Sequence, residues 1–298
     1  MSIVNTFEAV PSRLLSIYAA VAEVENGVHT EHLASWATPP SLSRRGGENE
    51  DGGSTNLLKA SLAEARRLGL VDEKDGRLFV PDAARGRGGR NANLEAHLLS
   101  YLRETFFDPE RAASAGQAGF LIALAWFLTK NPLQPVSFSD APQNQLRSDL
   151  GQFAGKAELG STASFQNLLY WARFLGFATV VGDAESKRAF PDPIRAISAV
   201  LDRVFPDNKW VDMDMFLSRL AAIYPVLEGG SVREEVEASS TVPPAVDGRL
   251  SVASSLALQR LADRGSISLD VVADAKARIL DFGGSTKRVS RVRRGTAA

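Results

Sequence analysis

Two stretches of the chain follow one pattern. The first is "NLLKASLAEARRLGLVDEKDGRLFVPDAAR" (56–85) and the second "NLLYWARFLGFATVVGDAESKRAFPDPIRAI" (167–197). Both begin Asn-Leu-Leu, reach Ala-Arg-x-Leu-Gly, pass a polar tip and return on Phe with Pro-Asp close behind. Leu68 superposed on Leu175 is an offset of 107 residues, a domain-sized period and too long for a solenoid. A chain built this way must make a helix stopped by glycine and followed by a β-hairpin, and must do so twice.

In the first copy Ser54 is suited to cap a helix whose apolar stripe is Leu57, Leu58, Leu62, Ala65 and Leu68. Gly69 stands where a left-handed cap is expected, and Asp75-Gly76 between apolar runs predicts a tight hairpin closed by Pro81. Upstream, Pro11–Glu25 and Glu31–Trp36 read as two further helices, the second capped by Thr30 and followed by a mobile Pro- and Gly-rich segment from Thr38 to Ser54. The second copy repeats the order: helices over 119–129, 143–153 and 164–175, a stop at Gly176, and a hairpin tip at 182–186. A more degenerate third version follows, with helices over 213–227 and 252–264, Gly265, and two strands around 273–275. The expected fold class is mainly α with small β-hairpins (α+β), arranged as tandem winged helix-turn-helix modules. The expected domains are 1–90, 91–200 and 201–298, the last with a disordered loop at about 229–248 and a basic C-terminal tail.

The chain has 298 residues, enough for two or three cores. It has no cysteine, which removes disulfide and thiolate chemistry, and three histidines, too few for a His-rich metal site. The most apolar run, "GFLIALAWFL" (119–128), is half the length that spans a bilayer and reads as a buried helix. The first residues show no basic stretch ahead of an apolar core, so the expectation is no signal peptide, no membrane association and a cytoplasmic home.

Charge is segregated. The formal net charge is −1, yet "RGRGGR" (85–90) and "KRVSRVRR" (287–294) together carry eight basic residues and no acid, leaving −9 for the rest. In a winged helix that binds DNA the third helix lies in the major groove and the hairpin touches flanking phosphate. The candidate DNA-binding residues are therefore Ser54, Thr55, Asn56, Lys59, Arg66 and Arg67 on the first third helix, and Lys74 and Arg77 on its hairpin. Arg85, Arg87 and Arg90 of the linker join them, as do Lys287, Arg288, Arg291, Arg293 and Arg294 of the tail. The second copy reads as the poorer groove binder: Phe165, Tyr170, Trp171, Phe174 and Phe177 crowd it, and some must pack against neighbouring modules or a partner.

Motifs for chemistry fail on context. "GQFAGKA" (151–157) lacks the spacing and Ser/Thr of a phosphate loop, and "GRGGRN" follows no strand. His29 and His32 lie one turn apart with no third ligand, and read as surface or helix-start residues. The triplets "ESK" (185–187) and "DAK" (274–276), with Asp270 as an extra ligand, match the acid-x-Lys of magnesium nucleases but fall at expected hairpin tips. No catalytic residue, no metal ligand and no cofactor are expected.

"SIVNTFEAVPSRLLSIYAAVA" (2–22) followed by "NLLKASLAEARRLGLV" (56–71) resembles the DpdG family, the G component of the bacterial Dpd systems. Those gene clusters place 7-deazaguanine bases in DNA and are associated with restriction of foreign DNA. The resemblance covers most of the length, is anchored in the first 80 residues, and carries over no catalytic residue. It implies a cytoplasmic accessory protein of an anti-phage defence or DNA-modification system. The expected function is non-enzymatic binding of double-stranded DNA beside other proteins of that system, with homodimerisation open. The alternative is a protein-docking scaffold, and behind it a magnesium-dependent nuclease.

Overall fold

The computed structural model describes residues 2–37, 51–85, 93–183, 186–207, 209–241 and 248–295, and for 51–56 the backbone alone. The chain divides into two compact units, Met1–Gln117 and Ala118–Ala298. It is mostly helical with small antiparallel sheets, a mixed α+β fold.

The first unit runs α1 (Pro11–Ala22), β1 (Val28–His29), α2 (Thr30–Ala37), α3 (Asp51–Arg67), β2 (Asp72–Lys74), β3 (Arg77–Phe79), α4 (Leu94–Phe107) and α5 (Pro109–Ser114). Pro11 occupies the first turn of α1, where its missing N–H costs nothing. Leu14, Ile17, Tyr18 and Val21 of α1 are buried, as are Leu58, Leu62 and Ala65 of α3, which packs against α1. Each leucine so buried contributes about 2 kcal/mol. Asp75 and Gly76 take φ of +52° and +73°, the two left-handed residues of a type I′ turn, and so bring β2 onto β3. β1 pairs with the far side of β3, giving the order β1-β3-β2. The Tyr18 hydroxyl donates to the Ala84 carbonyl at 2.8 Å, fastening the chain beyond the hairpin to α1.

The second unit runs α6 (Ala118–Leu128), β4 (Val136–Ser137), α7 (Gln143–Leu150), a 3-10 helix (Gly151–Ala157), α8 (Thr162–Leu175), β5 (Ala178–Val181), β6 (Arg188–Pro191) and α9 (Ile194–Val204). It continues with β7 (Val211–Asp212), α10 (Met213–Ile223), α11 (Ser231–Ala238), α12 (Val252–Asp263), β8 (Ile267–Asp270), β9 (Arg278–Asp281), β10 (Thr286–Val289) and β11 (Arg291–Arg294). Every residue of α6 from Gly119 to Leu128 is buried, as its unbroken apolar run predicts. Ser161 caps α8 through a reciprocal box with Ser164. The sheet orders β4-β6-β5 and β7-β11-β8 repeat that of the first unit: a short strand before the helices pairs with the last strand of the set. Gly69, Gly176 and Gly265 follow α3, α8 and α12 with φ of +69°, +93° and +70°.

Several expectations are corrected. Ser54 is not the N-cap of α3, which begins at Asp51; the expected mobile segment otherwise lies outside the described residues. The disordered loop at 229–248 contains helix α11, whose Val236 and Arg233 are buried; residues 242–247 lie outside the described set. Overall polarity misled there, because one valine and one ion-paired arginine suffice to seat a short helix. The strands flanking 273–275 do not pair with each other: β8 pairs with β11, and β9 with β10. "KRVSRVRR" is therefore no tail but two strands, with Val289 and Val292 buried.

Candidate nucleic-acid interface

The face of α3 away from its buried stripe presents Lys59, Ala63 and Arg66 to solvent. Lys59 has no carboxylate partner among the described residues, whereas the Arg66 guanidinium pairs with Glu73 on β2. Arg67 is turned the other way: it pairs with Glu64, only 4% exposed, and donates to the Ala115 carbonyl, so it ties α3 inward. Leu57, grouped with the stripe in the sequence reading, is 37% exposed. On the hairpin, Lys74 is exposed without an acid partner among the described residues, and Arg77 reaches the Asn26 and Gly27 carbonyls at 3.4 Å. Arg85 is exposed and donates to the Val80 carbonyl at 3.3 Å. The side chains of Ser54, Thr55 and Asn56, and all of Arg87 and Arg90, lie outside the described residues.

The basic residues near the C-terminus are sorted by the sheet that contains them. Arg294 pairs with Asp202 at 3.0 Å and Arg291 with Asp270. Arg291 and Arg293 project toward one indole, their guanidinium carbons 4.6 and 4.9 Å from the Trp210 ring centroid. Lys287 donates to Gln259 at 3.1 Å, and Arg288 is exposed without an acid partner among the described residues. The hairpin β9–β10 lies on α12: the Asp281 N–H donates to the Ser255 hydroxyl at 2.8 Å, and Leu280 is fully buried. A face of α12 corresponding to the outer face of α3 is thus occupied by the protein's own strands.

A family model described as DpdG-like matches residues 1–275. The chain belongs to the DpdG-like family. Membership links it to the Dpd systems of DNA modification. No curated protein and no solved structure matches the chain.

Of the residues in this DpdG-like chain that matched the acid-x-Lys pattern, Lys276 and Asp270 have ion-pair partners. Lys276 pairs with Asp214 at 2.8 Å, and Arg278 binds the other Asp214 oxygen at 2.5 Å. Those contacts, the Lys276 hydrogen bond foremost, hold Asp214 below the ordinary carboxylate range. Asp270 is likewise held low, first by the Arg291 hydrogen bond and then by the Val271 N–H. Asp274 sits in a left-handed turn at φ +63°, and Glu185 lies outside the described residues. Among the described residues no group of three or more His, Cys, Asp or Glu is placed to hold a metal ion, and no helix is long and apolar enough to cross a membrane. His29 and His32 are exposed, their rings edge to face at 5.9 Å.

Of the five aromatics in and after α8, Phe165, Trp171 and Phe177 are fully buried, Phe174 is half-buried and Tyr170 is 40% exposed. Phe177 meets Tyr224, which follows α10, at 5.2 Å, so part of the crowding is resolved inside the second unit. Sequence reasoning missed Trp210 as the residue that collects Arg291 and Arg293. Its signal was the alternation Arg-x-Arg, which places two arginines on one face of a strand.

Proposed function

We propose that this DpdG-like protein is a non-enzymatic accessory component that binds double-stranded DNA through tandem winged helix-turn-helix modules, within a bacterial anti-phage defence or DNA-modification system. The modular reading is supported by the recurrence of one sheet order in three sets, each with a glycine-stopped helix before its last two paired strands; in the third set β9 and β10 intervene between them. The observation that carries the DNA reading is the outer face of α3 with its hairpin, where Lys59 and Lys74 stand exposed and without acid partners among the described residues. Cations left free in this way exchange condensed counterions for phosphate, so binding should weaken steeply with salt. Fluorescence anisotropy on a duplex at low and moderate salt tests this. Lys59→Glu with Lys74→Glu should weaken binding at least tenfold and lower the log–log salt slope by about two. No binding at low salt, or binding indifferent to salt, overturns the reading. Magnesium-dependent nicking of plasmid that is lost in Asp274→Asn would overturn the non-enzymatic part.

A second reading, a protein-docking scaffold, is favoured by one observation. A cleft of about 490 Å³ between α1, α2 and α3 is lined by Ile17, Leu33, Leu57 and Leu58 and by Trp36, itself 55% exposed. Trp36→Ala that abolishes co-purification with other components of the system, in a protein whose DNA affinity is negligible, would favour it.

A further inference from the structure

Helix α8 carries a second outward stripe. Ala163, Gln166, Tyr170 and Arg173 follow one another at steps of three, four and three, which places them on one side of the helix over about 15 Å. Ala163, Tyr170 and Arg173 are exposed and Gln166 is half-exposed, while Phe165, Leu168, Leu169, Trp171 and Leu175 fill the opposite side. Only Tyr170 among the five aromatics is exposed on this face, whose other members are small or polar. No acidic residue occurs anywhere in α8, and Arg173 has no acid partner among the described residues.

One cation is linked to the stripe through an aromatic ring. The Phe138 ring stands edge-on to Tyr170 at 5.3 Å, and the Lys187 ammonium lies 4.7 Å from the centroid of that same Phe138 ring. Lys187 and Tyr170 therefore share Phe138 as a neighbour, and exposed Arg188 follows Lys187 at the start of strand β6. The carboxylates described on this hairpin are engaged: Asp183 by the Ser186 hydroxyl at 3.0 Å, and Asp192 by Thr179 and Arg260.

We infer that the α8 stripe is a second contact for duplex DNA, with Gln166 and Arg173 at base edges, Tyr170 on the backbone, and Lys187 on flanking phosphate. Gln and Arg are the side chains that pair bidentately with adenine and guanine in the major groove, which is about 12 Å wide and admits such a helix. Ala163, with only a methyl group, lets the first turn of the helix approach the bases closely. Tyrosine hydroxyls and lysine ammoniums are common phosphate donors. A protein-docking core gathers several aromatics and is depleted in alanine; this face carries one exposed aromatic, Tyr170, between Ala163, Gln166 and Arg173. The inference rests on the DNA-binding reading above, and adds that the second unit contributes its own groove element.

The test compares the full chain with Tyr170→Ala/Arg173→Gln by anisotropy on duplex DNA at two salt concentrations, beside the α3 variant Lys59→Glu. The double variant should bind roughly tenfold more weakly and lose about one unit of salt slope. Thermal unfolding of Arg173→Gln should be unchanged, because that side chain is exposed, whereas Tyr170→Ala also removes the contact with Phe138. The single variant Arg173→Gln, should the pair unfold, is expected to lose the same unit of slope. Unchanged affinity in a folded variant overturns the inference and leaves the DNA reading standing on α3. A wild-type chain that binds no duplex at low salt sinks both. Retained DNA affinity with loss of co-purifying proteins overturns the inference in favour of docking.

Discussion

Glu228 accepts hydrogen bonds from the Ser251 and Ser254 hydroxyls, both at 2.5 Å, and lies 3.9 Å from Arg233, itself only 3% exposed. Burial raises its pKa, but the Arg233 charge and the two hydroxyls outweigh burial and hold the carboxyl below its ordinary 4.5. A carboxyl held low in the folded state takes up its proton more readily in the unfolded chain. It therefore stabilises the fold above pH 4.5, and that contribution fades as pH falls through its folded value. Glu228→Gln should cost roughly 3 kcal/mol near neutral pH, since it strands Arg233 with Glu237 alone. The deficit against the wild type should narrow below pH 4.5, as read by urea unfolding over a pH series. None of this was legible in the sequence. "LEGGSVREEVEA" displays several acids near one arginine, and nothing local says which acid is buried with it.

Among the elements, the glycine stops were legible because their cause is local. A helix that must reverse into a strand needs a left-handed residue, and glycine alone enters that region without strain. Gly176 takes φ +93°, so Gly176→Ala should lower stability by about 1–2 kcal/mol, detected as a reduced denaturation midpoint at unchanged m value. The β9–β10 hairpin was not legible in its true place. "SISLDVVADAKARILDF" contains two apolar runs around a polar tip and reads as one hairpin, but its strands join different sheets. Leu280, fully buried in that hairpin, faces α12, and Leu280→Ala should cost about 3 kcal/mol. It should also speed amide exchange at Asp281, whose N–H is held by Ser255. That result would mark the hairpin as the cover over a helix face that stays open in α3.

At the scale of the molecule, each compact unit has its own buried core: Leu14, Tyr18 and Leu62 in the first, Trp126, Trp171 and Phe216 in the second. The span Ala118–Ala298, expressed alone, should unfold in one cooperative transition, and loss of cooperativity would show that its core is incomplete without the rest. The sequence by itself determined where helices stop, where the Asp75–Gly76 turn falls, that α6 is buried, and that one helix-hairpin pattern recurs. The first three depend on residues within a few positions of one another, and the recurrence is a comparison of two such local patterns 107 residues apart. Tertiary structure decided which strands pair, that the basic segment 287–294 is sheet and not tail, and which cations are free. Arg66 is matched by Glu73 and Arg294 by Asp202, while Lys59 and Lys74 have no acid partner among the described residues. Ion pairs and strand ladders join residues brought together only by folding, so the charge that faces solvent is what remains after the fold has chosen its partners.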